Sequence, residues 1–282
     1  MTLENVVANL VEKVERRFFG KYRGFVVDNA DPEKLGRLKL RVPSVLGVEV
    51  VTGWALPCVP YGGAADQGFF FVPEVEAGVW VEFEEGDLEF PVWVGTFWSK
   101  PGGESELPKP NDADGAEQGS VQDPPSRKII KTRKGHTLQF EDADGEEMVT
   151  LFEATNRHVV TLNKDGIEIT DGANGHKVEL TSSGIKITDG ANSGNAIALD
   201  ATGVTVEDAN GHQIVMSPSG IQVGSSSAAE PLVLGMQLTT EFAKFIIALA
   251  THTHVGNMGA PTSPPTAPMQ FKVPISTKHM TE

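Results

Sequence analysis

The tightest constraint on this chain is a repeat in its second half. Gly166-Ile-Glu-Ile, Gly184-Ile-Lys-Ile, Gly203-Val-Thr-Val and Gly220-Ile-Gln-Val follow one another at steps of 18, 19 and 17 residues. Interleaved with them are Gly135-His-Thr-Leu-Gln-Phe, Gly175-His-Lys-Val-Glu-Leu, Gly194-Asn-Ala-Ile-Ala-Leu and Gly211-His-Gln-Ile-Val-Met. A period of this size sets the architecture before any single element does. Within each short strand, residues two apart share a face. The pairs Ile167 and Ile169, Ile185 and Ile187, Val204 and Val206, and Ile221 and Val223 are therefore expected to point inward together, with Lys186 and its equivalents outward.

Such a repeat cannot stand alone. An inward Ile or Val gains about 1.5–3 kcal/mol on burial, while ordering the backbone costs roughly 1–2 kcal/mol per residue. About four inward side chains per repeat do not balance that cost. A single-chain solenoid would want a third strand in each repeat, and only two are present. Several chains winding around a shared core solve the problem, and a threefold axis is the simplest closed choice. The eight residues just named are then the core on the trimer axis. His136, His176 and His212 each follow a repeat glycine, and their recurrence at one polar strand position reads as outward-facing rather than metal-binding.

Aromatic residues divide the rest of the chain. All four tryptophans and both tyrosines precede residue 100, whereas residues 128–234 contain neither. Between these regions, residues 99–126 are dense in Pro, Gly and acid and read as an exposed linker. Residues 1–19 carry Leu3, Val6, Val7, Leu10, Val11 and Val14 at helical spacing, an amphipathic stripe. It packs either on its own domain or, through Leu3, Val7, Leu10 and Val14, on a partner. Residues 20–98 contain the runs GFVVDN, RLKLRV, TGWALPCV, GFFFVP, VWVEFEEG and PVWVGTF, short strands suited to a closed barrel. The repeat needle spans 127–234. Residues 235–282 hold a short apolar helix, too short for a bilayer, and a His-x-His pair.

Charge narrows the partners. The chain carries a net charge of −15, and only residues 235–282 are not acidic. No duplex-binding surface is expected, because phosphate backbones select basic faces. Arg127, Lys128, Lys131, Arg133 and Lys134 form one basic cluster, by default solvated surface, with pairing to the acidic linkers of neighbouring chains as the alternative. The single cysteine, Cys58, excludes an intrachain disulfide.

Lys21-Tyr-Arg-Gly-Phe-Val-Val-Asp-Asn, Asp31-Pro-Glu-Lys-Leu-Gly-Arg-Leu-Lys-Leu-Arg-Val-Pro43, Gly53-Trp-Ala and Pro60-Tyr-Gly-Gly carry a family likeness. So do Gly68-Phe-Phe-Phe-Val-Pro, Val79-Trp-Val-Glu-Phe-Glu-Glu-Gly86 and Pro91-Val-Trp-Val-Gly95. In one collinear order they resemble the OB-fold of phage baseplate spikes, the baseplate assembly protein V and VgrG-type family of contractile injection machines. The resemblance implies a mainly β fold. An N-terminal helix and OB-fold barrel are followed by a trimeric intertwined β-helix needle with a short helical C-terminal tip. It implies a homotrimer under a separate hub protein and tail tube, in the tail baseplate of a virion assembled in the host cytoplasm. Its role there is to pierce the host outer membrane on sheath contraction, and a tip cap protein is a further candidate partner. The short segment before the barrel leaves no room for a hub domain and favours a phage tail over a type VI secretion spike.

At the far end, Leu238, Phe242, Phe245, Ile246 and Leu249 form a helical stripe, directly followed by His252 and His254. In extended backbone the two imidazoles point the same way. Three chains supply six nitrogens, which suit an octahedral ion better than zinc. The resemblance adds iron, because needle tips in some phage spikes hold one iron with a His-x-His pair from each chain.

Three functions compete. The first is a structural, non-enzymatic spike of a phage tail, or of an extracellular contractile injection or type VI secretion system. The second is a polysaccharide-degrading β-helix enzyme, which needs a carboxylate pair across a cleft. Asp171, Asp189 and Asp208 instead fall in turns at repeat spacing. The third is an OB module binding sugar or oligonucleotide by stacking on Trp54, Trp80 and Trp93, which alternate with apolar residues and read as barrel core.

Overall fold

A computed structural model describes the chain apart from Met1, residues 8–10, 12–16, 113, 120–122, 191–193, 226, 228–229, 234, 252–274 and Glu282. It forms two compact units, Met1–Leu107 and Pro108–Glu282.

In the first unit, β1 (Tyr22–Asp28), β2 (Lys39–Arg41), β3 (Leu56–Pro57), β4 (Gly78–Phe83) and β5 (Pro91–Thr96) make one sheet in the order β2-β1-β4-β5-β3. Bridges from Leu38 to Ala55 and from Arg41 to Val51 carry residues 51–55 alongside β2 before β3 joins β5. The sheet therefore curls back on itself as an OB barrel does. The pleat sorts its two faces: Val79, Val81 and Phe83 enter the core, while Gly78, Trp80 and Glu82 face away. Val26, Leu38, Leu40, Val42 and Trp93 complete that core. The Trp93 indole N–H donates to the Gly36 carbonyl at 3.1 Å, satisfying its one donor.

Two expectations fail in the barrel. Trp80 is not core, because it shares β4 with Val79 and Val81 and the pleat turns it outward. Trp54 is likewise half-buried, with the Arg37 and Lys39 side chains over its ring. The run GFFFVP forms no strand either: Phe69 N–H reaches the Tyr61 carbonyl at 3.0 Å, and Phe70 remains 78% exposed. Four successive apolar residues carry no alternation that would commit one side to a core.

In the second unit, eleven strands run as an antiparallel meander. They are β6 (Arg127–Lys131), β7 (Thr137–Glu141), β8 (Met148–Glu153), β9 (His158–Asn163), β10 (Gly166–Thr170), β11 (Lys177–Thr181), β12 (Gly184–Asp189), β13 (Asn195–Asp200), β14 (Gly203–Glu207), β15 (Gln213–Ser217) and β16 (Gly220–Gly224). The repeat glycines have a backbone cause. Gly166, Gly184 and Gly203 sit at φ +145°, +144° and +143°, and a Cβ there would lie 2.0, 2.1 and 1.9 Å from the carbonyl oxygen of the adjoining strand. Backbone hydrogen bonding along the meander is satisfied within one chain.

Residues 108–112 and 114–118 fall inside the expected exposed linker, yet they form a strap over β6, β7 and β8. Asn111 is 2% and Gln139 is 1% exposed. The Gln139 amide accepts from Asn111 N–H at 2.9 Å and donates to the Asn111 carbonyl at 2.8 Å. Two members of the basic cluster serve the strap rather than solvent: Lys131 pairs with Glu117 at 2.6 Å, and Arg127 bonds both Gln118 and Glu141. The strap escapes a compositional reading because its polar side chains find partners on a polar strand face.

At the other end, β17 (Glu230–Val233) precedes α1 (Gly235–Thr251), and β18 (Ile275–Thr281) then pairs parallel with β16 and antiparallel with β17. Residues 275–281, expected in the tip, thus rejoin the sheet. α1 therefore lies in sequence between two strands that are neighbours in the sheet.

Two measurements follow. Gln139→Ala strands the Asn111 N–H and carbonyl in a buried site, and denaturant titration is expected to show a loss of about 2–4 kcal/mol. Glu141 is pushed up by burial, but bonds from the Ser126 hydroxyl, the Arg127 guanidinium and the Ala143 N–H outweigh that and hold its carboxyl at about 2, against 4.5 ordinarily. Because the folded value is depressed, the stabilisation is complete above pH 4.5 and fades as pH falls toward 2. Glu141→Gln is expected to flatten the denaturation profile across that window.

Candidate functional site

The pleat of the meander separates two chemically opposite faces. On one, the register links Ile130, Leu138, Leu151, Val160, Ile169, Val178, Ile187, Ile197, Val206, Ile214 and Val223 in an unbroken column. Beside it runs a second column through Phe140, Val149, Leu162, Ile167, Leu180, Ile185, Leu199, Val204, Met216 and Ile221. At the spacing of sheet strands, eleven strands extend this apolar surface to about 50 Å. The reverse face presents Gln139, Thr150, Thr161, Glu168, Glu179 and Lys186 in register.

Burial in one chain runs opposite to polarity. Leu151 is 56% and Ile169 45% exposed, while Thr150 and Gln139 are each 1% exposed beneath the strap. All eight residues expected on the axis lie in the two apolar columns, which continue back through β9, β8 and β7, the first also into β6. In β8, which carries no repeat glycine, the signal was plain alternation, as in Val149-Thr-Leu151. An apolar surface this long is far beyond what a soluble monomer leaves open, and its function is to be covered.

The turn histidines occupy the edge of this sheet. Nδ1 of His176 lies 2.8 Å from Asp189, Nδ1 of His212 2.9 Å from Asp208, and Nδ1 of His158 3.0 Å from Asp171. The hydrogen bond from His212 holds the Asp208 carboxyl well below the ordinary range, and Asn174 does the same for Asp171. The His158–Asp171 and His176–Asp189 contacts tie one turn to the next, whereas His212–Asp208 and Asn174–Asp171 lie within single turns. His158, part of this edge, carries no repeat glycine and was invisible to the motif. Among the described residues, no three His, Cys, Asp or Glu side chains are placed to hold a metal ion. His252 and His254 lie outside the described residues.

Of the N-terminal stripe, residues 3–7 are helical, with Leu3 79% exposed and Val7 half exposed. Leu10 and Val14 lie outside the described residues. In α1, Phe242, Ile246 and Leu249 are exposed, and among the described residues no helix is long and apolar enough to cross a membrane.

A cleft of about 710 Å³ on the barrel is lined by Trp93, Tyr61, Phe69, Phe70 and Phe71, with Asp66 its one carboxylate. It therefore lacks the acid pair that glycoside hydrolysis requires. A depression of about 470 Å³ holds both Asp189 and Glu207, but Ile187, Ile197 and Val206 form its wall. It belongs to the apolar surface.

Comparison with known families matches this geometry. Residues 22–98 match the type VI secretion system/phage-baseplate injector OB domain, and residues 128–191 match the phage baseplate V C-terminal trimerisation domain. No curated protein sequence matches significantly. A barrel of the injector class, followed in order by a trimerisation sheet, defines a structural baseplate component. The chain belongs to the baseplate spike and VgrG-like family. Both matched domains are structural, and the trimerisation match, which runs over β6 to β12, supports a homotrimer.

Replacing Ile169 and Ile187 together by Asp would force six carboxylates into the core of a trimer, at several kcal/mol for each unpaired charge. Sedimentation is expected to show loss of the trimer, whereas Lys186→Glu on the reverse face retains it.

Proposed function

We propose that the protein is the central spike of a contractile phage tail baseplate. The observation that carries this reading is the pair of unbroken apolar columns, one from β6 and one from β7, both running to β16, open in one chain and overlapped by the trimerisation match as far as β12. Three such sheets turned inward make a stiff prism with polar outer walls. That is the form a load-bearing needle requires. The trimerisation match is to a phage baseplate domain, whereas the barrel match is shared with type VI secretion systems, and this favours the phage tail. Catalysis has no part in the reading.

In this assembly the barrels lie under a separate hub, reached by Leu3, Val7, Leu10 and Val14 of the N-terminal stripe. The segment between β17 and β18 forms the leading end, which passes the host envelope when the sheath contracts. α1 ends at Thr251, directly before His252 and His254, so the pair belongs to this segment. The donor set of three chains, six neutral imidazoles, fits one octahedral iron. Bound there, the ion would cross-link the three chains and stiffen the end without redox or acid-base work.

The particle is expected to sediment at three times 30.2 kDa, and elemental analysis to give one iron per three chains. His252→Ala with His254→Ala should abolish the iron and leave the trimer intact. A monomer would overturn the spike reading, whereas an iron-free trimer would overturn the metal alone.

A further inference from the structure

One surface of the barrel is out of keeping with an acidic chain. On the outer side of β2, β1 and β4, the Arg23 guanidinium lies 5.7 Å from the centre of the Trp80 ring and 5.5 Å from that of Phe97. The Lys39 ammonium lies 5.1 Å from the Trp54 ring. Phe97 and Trp80 pack at 5.2 Å, so Arg23 is held against a fixed aromatic support. The rings already carry cations and are not free to stack on a sugar or a base. Each cation instead turns its open side outward.

These charges are not used within the barrel. Arg37, over the same Trp54 ring as Lys39, is engaged by Asp31 at 2.7 Å and by Glu33 at 3.2 Å. Arg41 reaches Glu76 at 3.6 Å. Arg23 and Lys39 form no ion pair among the described residues. A supported cation without a counter-charge is a ready contact for a carboxylate.

The complementary surface is on the same barrel, in the loop between β4 and β5. Glu84, Glu85 and Glu89 are exposed there, and among the described residues none has an ion pair, unlike Glu82 with Lys21 and Asp87 with Arg17. The loop has a defined shape. Arg17 donates to the Glu85 carbonyl at 3.1 Å, Asp87 N–H to the Glu84 carbonyl at 2.9 Å, and Phe18 N–H to the Gly86 carbonyl at 2.9 Å. Arg23 stands opposite Trp80 in the register, and Trp80 is four residues before Glu84, which directly follows the end of β4. At strand rise that is about 13 Å, beyond the Debye length of about 8 Å at physiological salt. The two surfaces cannot neutralise each other inside one barrel.

We propose that Arg23 and Lys39, two cations about 16 Å apart along the outer side of one barrel, together receive the acidic loop Glu84, Glu85 and Glu89 of the neighbouring copy, which is long enough to reach both. Face and loop are different surfaces, so the contact is head-to-tail and closes into a ring in a threefold assembly. The inference rests on the trimer reading. Chains already joined by their needles meet at a local concentration in the millimolar range, so a contact too weak to assemble free barrels suffices to seat tethered ones.

The test uses the full chain. In a Cys58→Ser background, which removes the single cysteine, Arg23→Cys is combined with Glu85→Cys and treated with a short bis-maleimide. Covalent trimers on a denaturing gel are expected, with neither single variant linking beyond background. Unlinked chains in a sample that sediments as a trimer overturn the proposal and leave the spike reading standing; a monomer overturns both. As a second measurement, Arg23→Glu with Lys39→Glu should lower the salt-sensitive part of the thermal transition, and adding Glu84→Lys with Glu85→Lys should restore it. Failure of the reversed pair to restore it, with the cationic face instead needed to bind another acidic protein, also overturns the proposal.

Discussion

The needle unit depends on one mismatch: its sheet has a complete backbone and an incomplete core. Every strand from β6 to β16 finds its ladder partners in the same chain, so the meander forms without help. Its side chains do not. Two apolar columns, mostly Ile, Leu and Val, lie open on one face of a sheet only about five residues wide, and among the described residues no other layer covers them. Hydrophobic burial is therefore deferred to association, where it is worth roughly 25 cal/mol per Å². Stability and oligomeric state become one quantity.

The opposite face solves a different problem with different chemistry. Gln139, Thr150 and Glu141 are buried although polar: Gln139 takes its partners from Asn111 of the strap, Glu141 from Ser126, Arg127 and the Ala143 N–H, and the Thr150 hydroxyl has none among the described residues. Buried polar groups cost free energy unless hydrogen-bonded, and the reciprocal bonds between Gln139 and Asn111 meet that demand. The basic cluster at the start of the needle belongs to the same device. Arg127 pairs with Glu141, and Lys131 pairs with Glu117. The first strands are thus held in place from the outside while their inner surface waits for other chains.

The barrel achieves its core alone. Alternation in β4 sends Val79, Val81 and Phe83 inward, and Trp93 closes the far side with its indole N–H satisfied. The same pleat turns Trp80 outward, where it supports Arg23. Aromatic content by itself did not separate these roles, since Trp80 and Trp93 have similar apolar neighbours. What separates them is the parity of their positions in strands whose register depends on pairing.

Much of this architecture was legible from residue order. The inward and outward assignment of Ile185, Lys186 and Ile187 follows from a period of two. The need for more than one chain follows from how few apolar residues each repeat offers, and the barrel was visible in the motifs from Lys21 to Gly95. Those are local or counted properties. The tertiary structure alone decided that Asn111 lies on Gln139, that residues 275–281 return to pair with β16, and that Trp54 and Trp80 carry cations rather than core. Each of these depends on contacts between residues far apart in sequence or on strand register. No local pattern carries that information, because polar residues in a strap and polar residues in a linker look alike until something is found to satisfy their hydrogen bonds.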